Sequence, residues 1–380
     1  MKKFSLVVGA ALVAIAGRGL EESPGSAAVR EFRTRDGVRL RVEAVVTGLE
    51  VPWSIAFTSP DRMLVTERPG RVRIVRNGKL ENEPLATIAE VEASGETGLM
   101  GMTLDPDYAT SRLLYLAYAY AGAGGKKVRV AQYRDEGTRL VPTRTIVEGL
   151  PAARNHAGCR LRFGPDRLLY VTTGDATERA LAQRMDSLAG KTLRYAADGS
   201  IPASNPFPGS AIYSLGHRNS QGLDWQPGTN AQYQTEHGPS GFDGPGGGDE
   251  VNLVEPGRNY GWPLIHHRQT REGYVSPLLE FTPAIAPSGA TFVRGGALAR
   301  LTGDFVFAAL IGEKLVRVRF EEGAPGRVRG VEDLLADEYG RFREVMAGPD
   351  GALYVSTSNR DGRGHVRSGD DRILRISEQK

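Results

Sequence analysis

Apolar and polar residues alternate with a period of two through Leu40-Arg41-Val42-Glu43-Ala44-Val45-Val46, the pattern of a strand with one buried face. The theme returns along the chain. Ser59-Pro60-Asp61-Arg62 opens Met63-Leu64-Val65-Thr66-Glu67, with Arg71-Val72-Arg73-Ile74-Val75 behind it. Gly164-Pro165-Asp166-Arg167 opens Leu168-Leu169-Tyr170-Val171-Thr172, and Gly348-Pro349-Asp350-Gly351 opens Ala352-Leu353-Tyr354-Val355-Ser356. Weaker copies start at Asp105 and Gly303. Each unit predicts a turn, an inner strand, a turn and an outer strand, recurring at roughly 45–75 residues.

A small sheet of this kind cannot bury both faces by itself. Stacked radially, such sheets cover one another, and the ring closes when the first and last strands pair. The segment 29–49 is therefore expected to share a blade with 371–377. A β-sandwich with Asp-Gly turns satisfies the same periodicity, so the pattern establishes an all-β chain and leaves two architectures open. The longest break in the theme, 213–263, is rich in Gly and Pro yet anchored by Tyr213, Tyr260 and Trp262, which points to an ordered functional loop.

Composition narrows the setting. The 380 residues carry 48 Gly and 22 Pro, and helix-length amphipathic stretches are scarce. A net charge of +3, spread along the chain, gives no nucleic-acid footprint. Met1-Lys2-Lys3, an apolar run beginning at Phe4, and Ala14-Ile15-Ala16 read as a secretory leader. The expected division is a signal peptide and N-terminal stretch over 1–25 and a single all-β domain over 26–380, one propeller if the ring reading holds. The mature chain is expected in the periplasm or outside the cell, with no membrane span. Cys159 is the single cysteine, so no internal disulfide can form.

Several polar constellations carry candidate chemistry. His156 sits in a Gly-flanked loop at the rim of a predicted hairpin, displayed for proton transfer, with Asn155 beside it as the group to orient it. Taken alone, it reads more readily as a surface loop histidine. Asp249, Glu250 and Asn252, together with the carbonyls of Gly238 and Pro239, are hard oxygen donors suited to Ca²⁺, although Asp249-Glu250 alone also fits a solvated acidic turn. His266-His267 lacks zinc spacing, since neighbours on a strand face opposite ways. Arg218-Asn219 and Arg341-Phe342-Arg343 offer fixed guanidinium forks. On a strand, Arg341 and Arg343 share a face and suit a multi-carboxylate ligand, or else pair with Glu338 and Glu344. No glycine run precedes a helix pattern, which removes a nucleotide fold, and no Gly-x-Ser-x-Gly elbow is present.

Together, Val51-Pro52-Trp53-Ser54, Gly95-Glu96-Thr97-Gly98-Leu99-Met100-Gly101, Asn155-His156-Ala157-Gly158, Gly216-His217-Arg218-Asn219-Ser220-Gln221-Gly222, Asp249-Glu250-Val251-Asn252, Asn259-Tyr260-Gly261-Trp262-Pro263 and Arg341-Phe342-Arg343-Glu344-Val345 resemble the soluble glucose/aldose sugar dehydrogenase family. The resemblance is to its aldose sugar dehydrogenase branch. It implies a six-bladed β-propeller that binds pyrroloquinoline quinone (PQQ) and Ca²⁺, oxidises an aldose sugar at C1 and hands electrons to an external acceptor. By resemblance His156 is the base, Arg218 polarises the quinone, and Asn219, Arg341 and Arg343 hold the cofactor. The carbonyls of Gly238 and Pro239 hold Ca²⁺, with Glu250 and Tyr260 at a second calcium region and Asp249 beside it.

Three positions depart from the glucose-specific pattern. Glu96 stands for a glutamine near the substrate, Asn155 for an aspartate, and Ile311 for a cofactor-contacting lysine, with Lys314 three residues late. A calcium-dependent sugar lactonase and a non-catalytic glycan-binding propeller are the rival readings.

Overall fold

The computed structural model describes residues 29–379, so the expected leader lies outside the described residues. Six antiparallel sheets form a ring, the six-bladed β-propeller that the resemblance implied. The inner strands are Pro52–Ser59, Leu99–Leu104, Gly158–Phe163, Ser220–Trp225, Pro287–Phe292 and Phe342–Ala347, each packed against the next around the axis. The sandwich alternative is thereby removed.

The ring is closed by both ends of the described chain. One sheet runs Arg30–Arg33, Arg39–Val46, Ile373–Glu378, Leu353–Thr357, Phe342–Ala347, so an N-terminal strand lies between its own outer partner and the C-terminal strand. Leu40 opposes Glu378 and Val42 opposes Ile376, and the inward residues Leu40 and Val42 are fully buried against Leu298, Val306 and Leu374. The weaker repeat near Asp105 differs from expectation: Tyr108–Ser111 forms one helical turn before the strand Leu113–Gly122 begins.

Apolar clusters fill the wedges between blades, as where Trp53, Tyr115, Leu161, Val171 and Leu193 meet. The axis itself is polar. Arg160 is 2% exposed, pairs with Glu344 from another blade, donates through Nε to the Gln221 carbonyl (2.8 Å), and lies with its guanidinium carbon 4.4 Å from the Trp53 ring centre. Four blades are tied through this one cation.

All six inner strands carry a bulge within their first few residues: at Pro52/Ser54, Leu99/Met102, Gly158/Leu161, Ser220/Gly222, Pro287/Ala290 and Phe342/Glu344. A bulge bends its strand and re-aims side chains. Repeated around the ring at one end, it turns the residues preceding each inner strand toward a shared axial well.

Candidate active site

The well is a cavity of about 310 Å³ lined by, among others, Glu96, His156, Arg218, His237, Gly238, Pro239, Asp249, Ile311, Arg341, Arg343, Asp361 and Arg363. His156 precedes the inner strand Gly158–Phe163 by two residues, in a left-handed backbone conformation with φ of 58°. Its ring is not displayed at a rim, as its polar loop had suggested; the residue is 4% exposed and reaches water only through the cavity. Gly174 lies directly against the His156 carbonyl, where a Cβ would overlap it, so this close approach requires glycine.

Asp175, one residue further, orients the imidazole. Its Oδ1 lies 2.8 Å from His156 Nδ1 and accepts the Thr177 amide at 2.8 Å, while its Oδ2 accepts the Trp262 indole N–H at 2.8 Å. An ionised carboxylate only accepts, so Nδ1 carries the proton and Nε2 keeps its lone pair. This corrects the expectation for Asn155, whose Oδ1 accepts instead from Arg363 Nη2 at 3.3 Å, at the mouth of the well.

The arginines converge. Arg218 donates through Nε to Asp243 Oδ2 (2.8 Å) and through Nη2 to Ser240 Oγ (2.9 Å), both from the Gly/Pro loop. Arg341 donates to Asp361 Oδ2 (2.8 Å) and to the Leu310 carbonyl (3.2 Å). Arg343 differs. It is 3% exposed, its Nη1 meets only the neutral Gln221 Oε1 (2.6 Å) and Ser288 Oγ (3.4 Å), and its Nε has no partner. Burial pulls its pKa down to about 10, more than the nearby Asp361 charge offsets. The alternative pairing of these arginines with Glu338 and Glu344 is absent, since Glu344 serves Arg160 and Glu338 serves Arg30.

Five arginines line the well against three carboxylates, Glu96, Asp249 and Asp361, so its surplus charge is positive. Beside it, burial lowers the His237 imidazole to about 4, and His237 Nε2 is buried without a partner. Glu96 accepts the His156 amide at 3.3 Å and pairs with Arg363 at 2.9 Å. Phe242, 67% exposed, stacks over the His156 ring at 6.0 Å.

The other expected residues divide between the lining and the layer behind it. Asn219 is fully buried behind it, its Oδ1 accepting the Gly158 amide at 3.0 Å. Asp249 spends its carboxylate on the amides of Gly238, Ile285 and Ala286, each at 2.7 Å, so it fixes the loop whose Gly238 and Pro239 face the well. Glu250 sits between Glu236 and Glu280 on neighbouring strands, and burial with the Glu236 charge pushes its carboxyl well up. Tyr260 donates its hydroxyl to the Leu253 carbonyl (2.7 Å) and stacks on His217. Ile311 lines the well, whereas Lys314 turns away to Asp333 at 2.8 Å. His266 and His267 sit in a turn, not on a strand, and their Nδ1 atoms lie 2.9 Å apart.

Sequence reasoning missed Asp175, Trp262 and His237 as site residues. Each was in view: Asp175 closes the hairpin that His156 opens, and His237 precedes the Gly238-Pro239 pair.

An imidazole braced by a carboxylate thus faces a cationic well on the axis of a six-bladed propeller, an arrangement that suits proton transfer beside a bound anionic group. A family profile described as Glucose / Sorbosone dehydrogenase matches residues 49–374, and the chain belongs to that family of oxidoreductases. It is 33% identical over 348 residues to an aldose sugar dehydrogenase of Escherichia coli, covering 85% of this chain and 91% of that one. Among solved structures, a putative oxidoreductase (glucose dehydrogenase) from Thermus thermophilus is 46% identical with a TM-score of 0.81, over 89% of this chain and 99% of that one. The PQQ-bound form of an aldose sugar dehydrogenase from Streptomyces coelicolor is 33% identical with a TM-score of 0.78, over 94% and 99%.

Proposed function

We propose that the chain is a PQQ- and Ca²⁺-dependent aldose dehydrogenase that oxidises the sugar at C1 to the lactone and passes the electrons to an external acceptor. The observation that carries this reading is Arg343, a buried guanidinium with neutral partners only, in the same well as Arg218, Arg341 and the free nitrogen of His156. A ligand with several carboxylates supplies the missing counter-charge, and the unpartnered Arg343 Nε and His237 Nε2 are the buried polar atoms it would satisfy.

Arg341, Arg343 and Arg218 would hold PQQ, and the carbonyls of Gly238 and Pro239, fixed by Asp249, would hold Ca²⁺ as hard oxygen donors. When bound, the quinone supplies the acceptor for the hydride leaving C1, and the metal supplies Lewis-acid polarisation. His156 Nε2 removes the C1 hydroxyl proton as C1 becomes a carbonyl carbon. Asp175 stabilises the resulting imidazolium through Nδ1–H. Arg218 presents fixed positive charge where oxygen gains electrons, without having to reorganise. Glu96, charged at neutral pH, offers the sugar an acceptor at the wall of the well. Glu250, raised by burial and Glu236, marks a second position where a cation would relieve repulsion, and Tyr260 belongs to the same region. The chain is read as exported to the periplasm or beyond.

The test is reconstitution. Purified apo-protein is titrated with PQQ and Ca²⁺ in the presence of an aldose and a dye acceptor. Dye reduction that needs both additions, and that a chelator added before PQQ abolishes, supports the reading. Lactone hydrolysis without PQQ, or no turnover under any loading, overturns it.

A further inference from the structure

A second cleft, of about 540 Å³, opens on the opposite face of the ring. The inner strand Ser220–Trp225 links the two sites: Arg218 lies just before its start at the axial well, and Trp225, at its far end, lines the cleft. Seven residue steps of extended chain place them up to about 23 Å apart. The cleft lies between two blades, with the turn at Asp166 on one side and Gln232 and Glu255 on the other.

Gln232 is the informative residue. It is 3% exposed, it lines the cleft, and among the described residues neither its amide nitrogen nor its amide oxygen has a hydrogen-bond partner. Two unmet polar atoms on one buried side chain are a cost that a native fold rarely carries without a ligand or solvent to meet it. An amide presents a donor and an acceptor side by side, the complement of two adjacent hydroxyl groups.

The surroundings narrow the ligand class. Tyr170 packs edge-to-face on Tyr213 (5.1 Å) and on Trp225 (4.9 Å), giving the cleft an aromatic wall. Asp166, 38% exposed at its side chain, accepts from the Tyr170 hydroxyl (2.9 Å) and Arg194 Nη1 (3.3 Å). The cleft's charged groups are Arg194 against Asp166 and Glu255, which gives no surplus positive charge for an anion. Apolar walls with a few fixed donors and acceptors suit a small neutral polyol.

We infer that this cleft is a second carbohydrate-binding site, which takes a neutral saccharide ring with Gln232 bridging adjacent hydroxyls. It is separate from the chemistry of the axial well and holds whether or not that reading survives. A saccharide held there tethers the enzyme to glycan without occupying the oxidising site.

Trehalose and sucrose test it, because neither has a free anomeric carbon to oxidise. Their binding to the full chain is followed by calorimetry and by tryptophan fluorescence, with Trp225→Phe assigning the optical change. The expected result is saturable millimolar binding of at least one of the two, weakened about tenfold or more in Gln232→Leu and unchanged in His156→Ala. Gln232→Leu removes both unmet atoms at similar shape, so its Tm is expected to equal or exceed that of the parent. Asp166→Asn, on the cleft rim, gives a second reading should Gln232→Leu fold poorly. No saturable binding of either sugar, equal affinity in the parent and both variants, or loss of binding in His156→Ala each overturns the assignment.

Discussion

His156 and Asp175 are 19 positions apart in sequence and 2.8 Å apart in space, and their pairing decides which ring nitrogen is free to act. His156→Ala is expected to lower kcat by about 10²–10⁴ while leaving PQQ affinity nearly unchanged, as separate measurement of turnover and cofactor titration would show. Asp175→Asn keeps the shape but loses the charge that stabilises the imidazolium, so kcat is expected to fall by a similar factor with KM little altered. Near-normal turnover in either variant removes that residue from the proton transfer. Glu96 carries a pH prediction. Burial raises its carboxyl, but the neighbouring His237, Arg363 and His156 outweigh burial and hold it at about 2. Because the folded value lies below the ordinary 4.5, its stabilisation is complete above that pH and is lost as pH falls toward 2. Denaturant melts across that range are expected to show about 2–3 kcal/mol of acid-dependent stability that Glu96→Gln lacks. The polar loops around His156, Arg218 and Arg341 were legible in sequence because their residue types and spacing are local. The role of Trp262 was not, because its contact with Asp175 crosses from one blade's loop to another's, and Asp175 meets His156 only once the two ends of their own hairpin are paired.

The loop after the strand Gln232–Glu236 shows how an element holds a site. Asp249 begins the next strand and accepts the amides of Gly238, Ile285 and Ala286, joining the loop to its own blade and to the approach of the following one. Its acidity invited a metal-ligand reading from sequence, and its three short bonds to backbone show a fastening role instead. Asp249→Ala strands three buried donors and is expected to cost about 3 kcal/mol. It is also expected to speed amide exchange over 238–248 and to weaken Ca²⁺ binding; unchanged exchange there would contradict the fastening role. The paired bulges at the six inner-strand starts were not legible, since no residue pattern marks them. Nor was the single turn at Tyr108–Ser111, where the Asp107-Tyr108 step was read as part of a strand repeat.

Across the whole molecule, the axis is braced by charge where most cores are apolar. Arg160→Met leaves Glu344 buried without its partner and is expected to lower stability by about 3–5 kcal/mol, with partial recovery in the Arg160→Met/Glu344→Gln double variant. Matching melting temperatures for parent and single variant would show that the blades are held together without this pair. The ring was partly legible: the recurring turn-strand units and the expected pairing of the two chain ends came from pattern, whereas the count of six came from resemblance, because insertions blur the period.

The strand Ile373–Glu378 is made more than 300 residues after Arg39–Val46, yet it separates that strand from the rest of its sheet. A nascent polypeptide still short of Ile373 leaves both edges of that gap unsealed, so the blades supplying Arg341 and His156 have no fixed distance between them. Cofactor capture therefore has to wait until Ile373–Glu378 has been made, and losing those few residues would be as damaging as losing a whole blade.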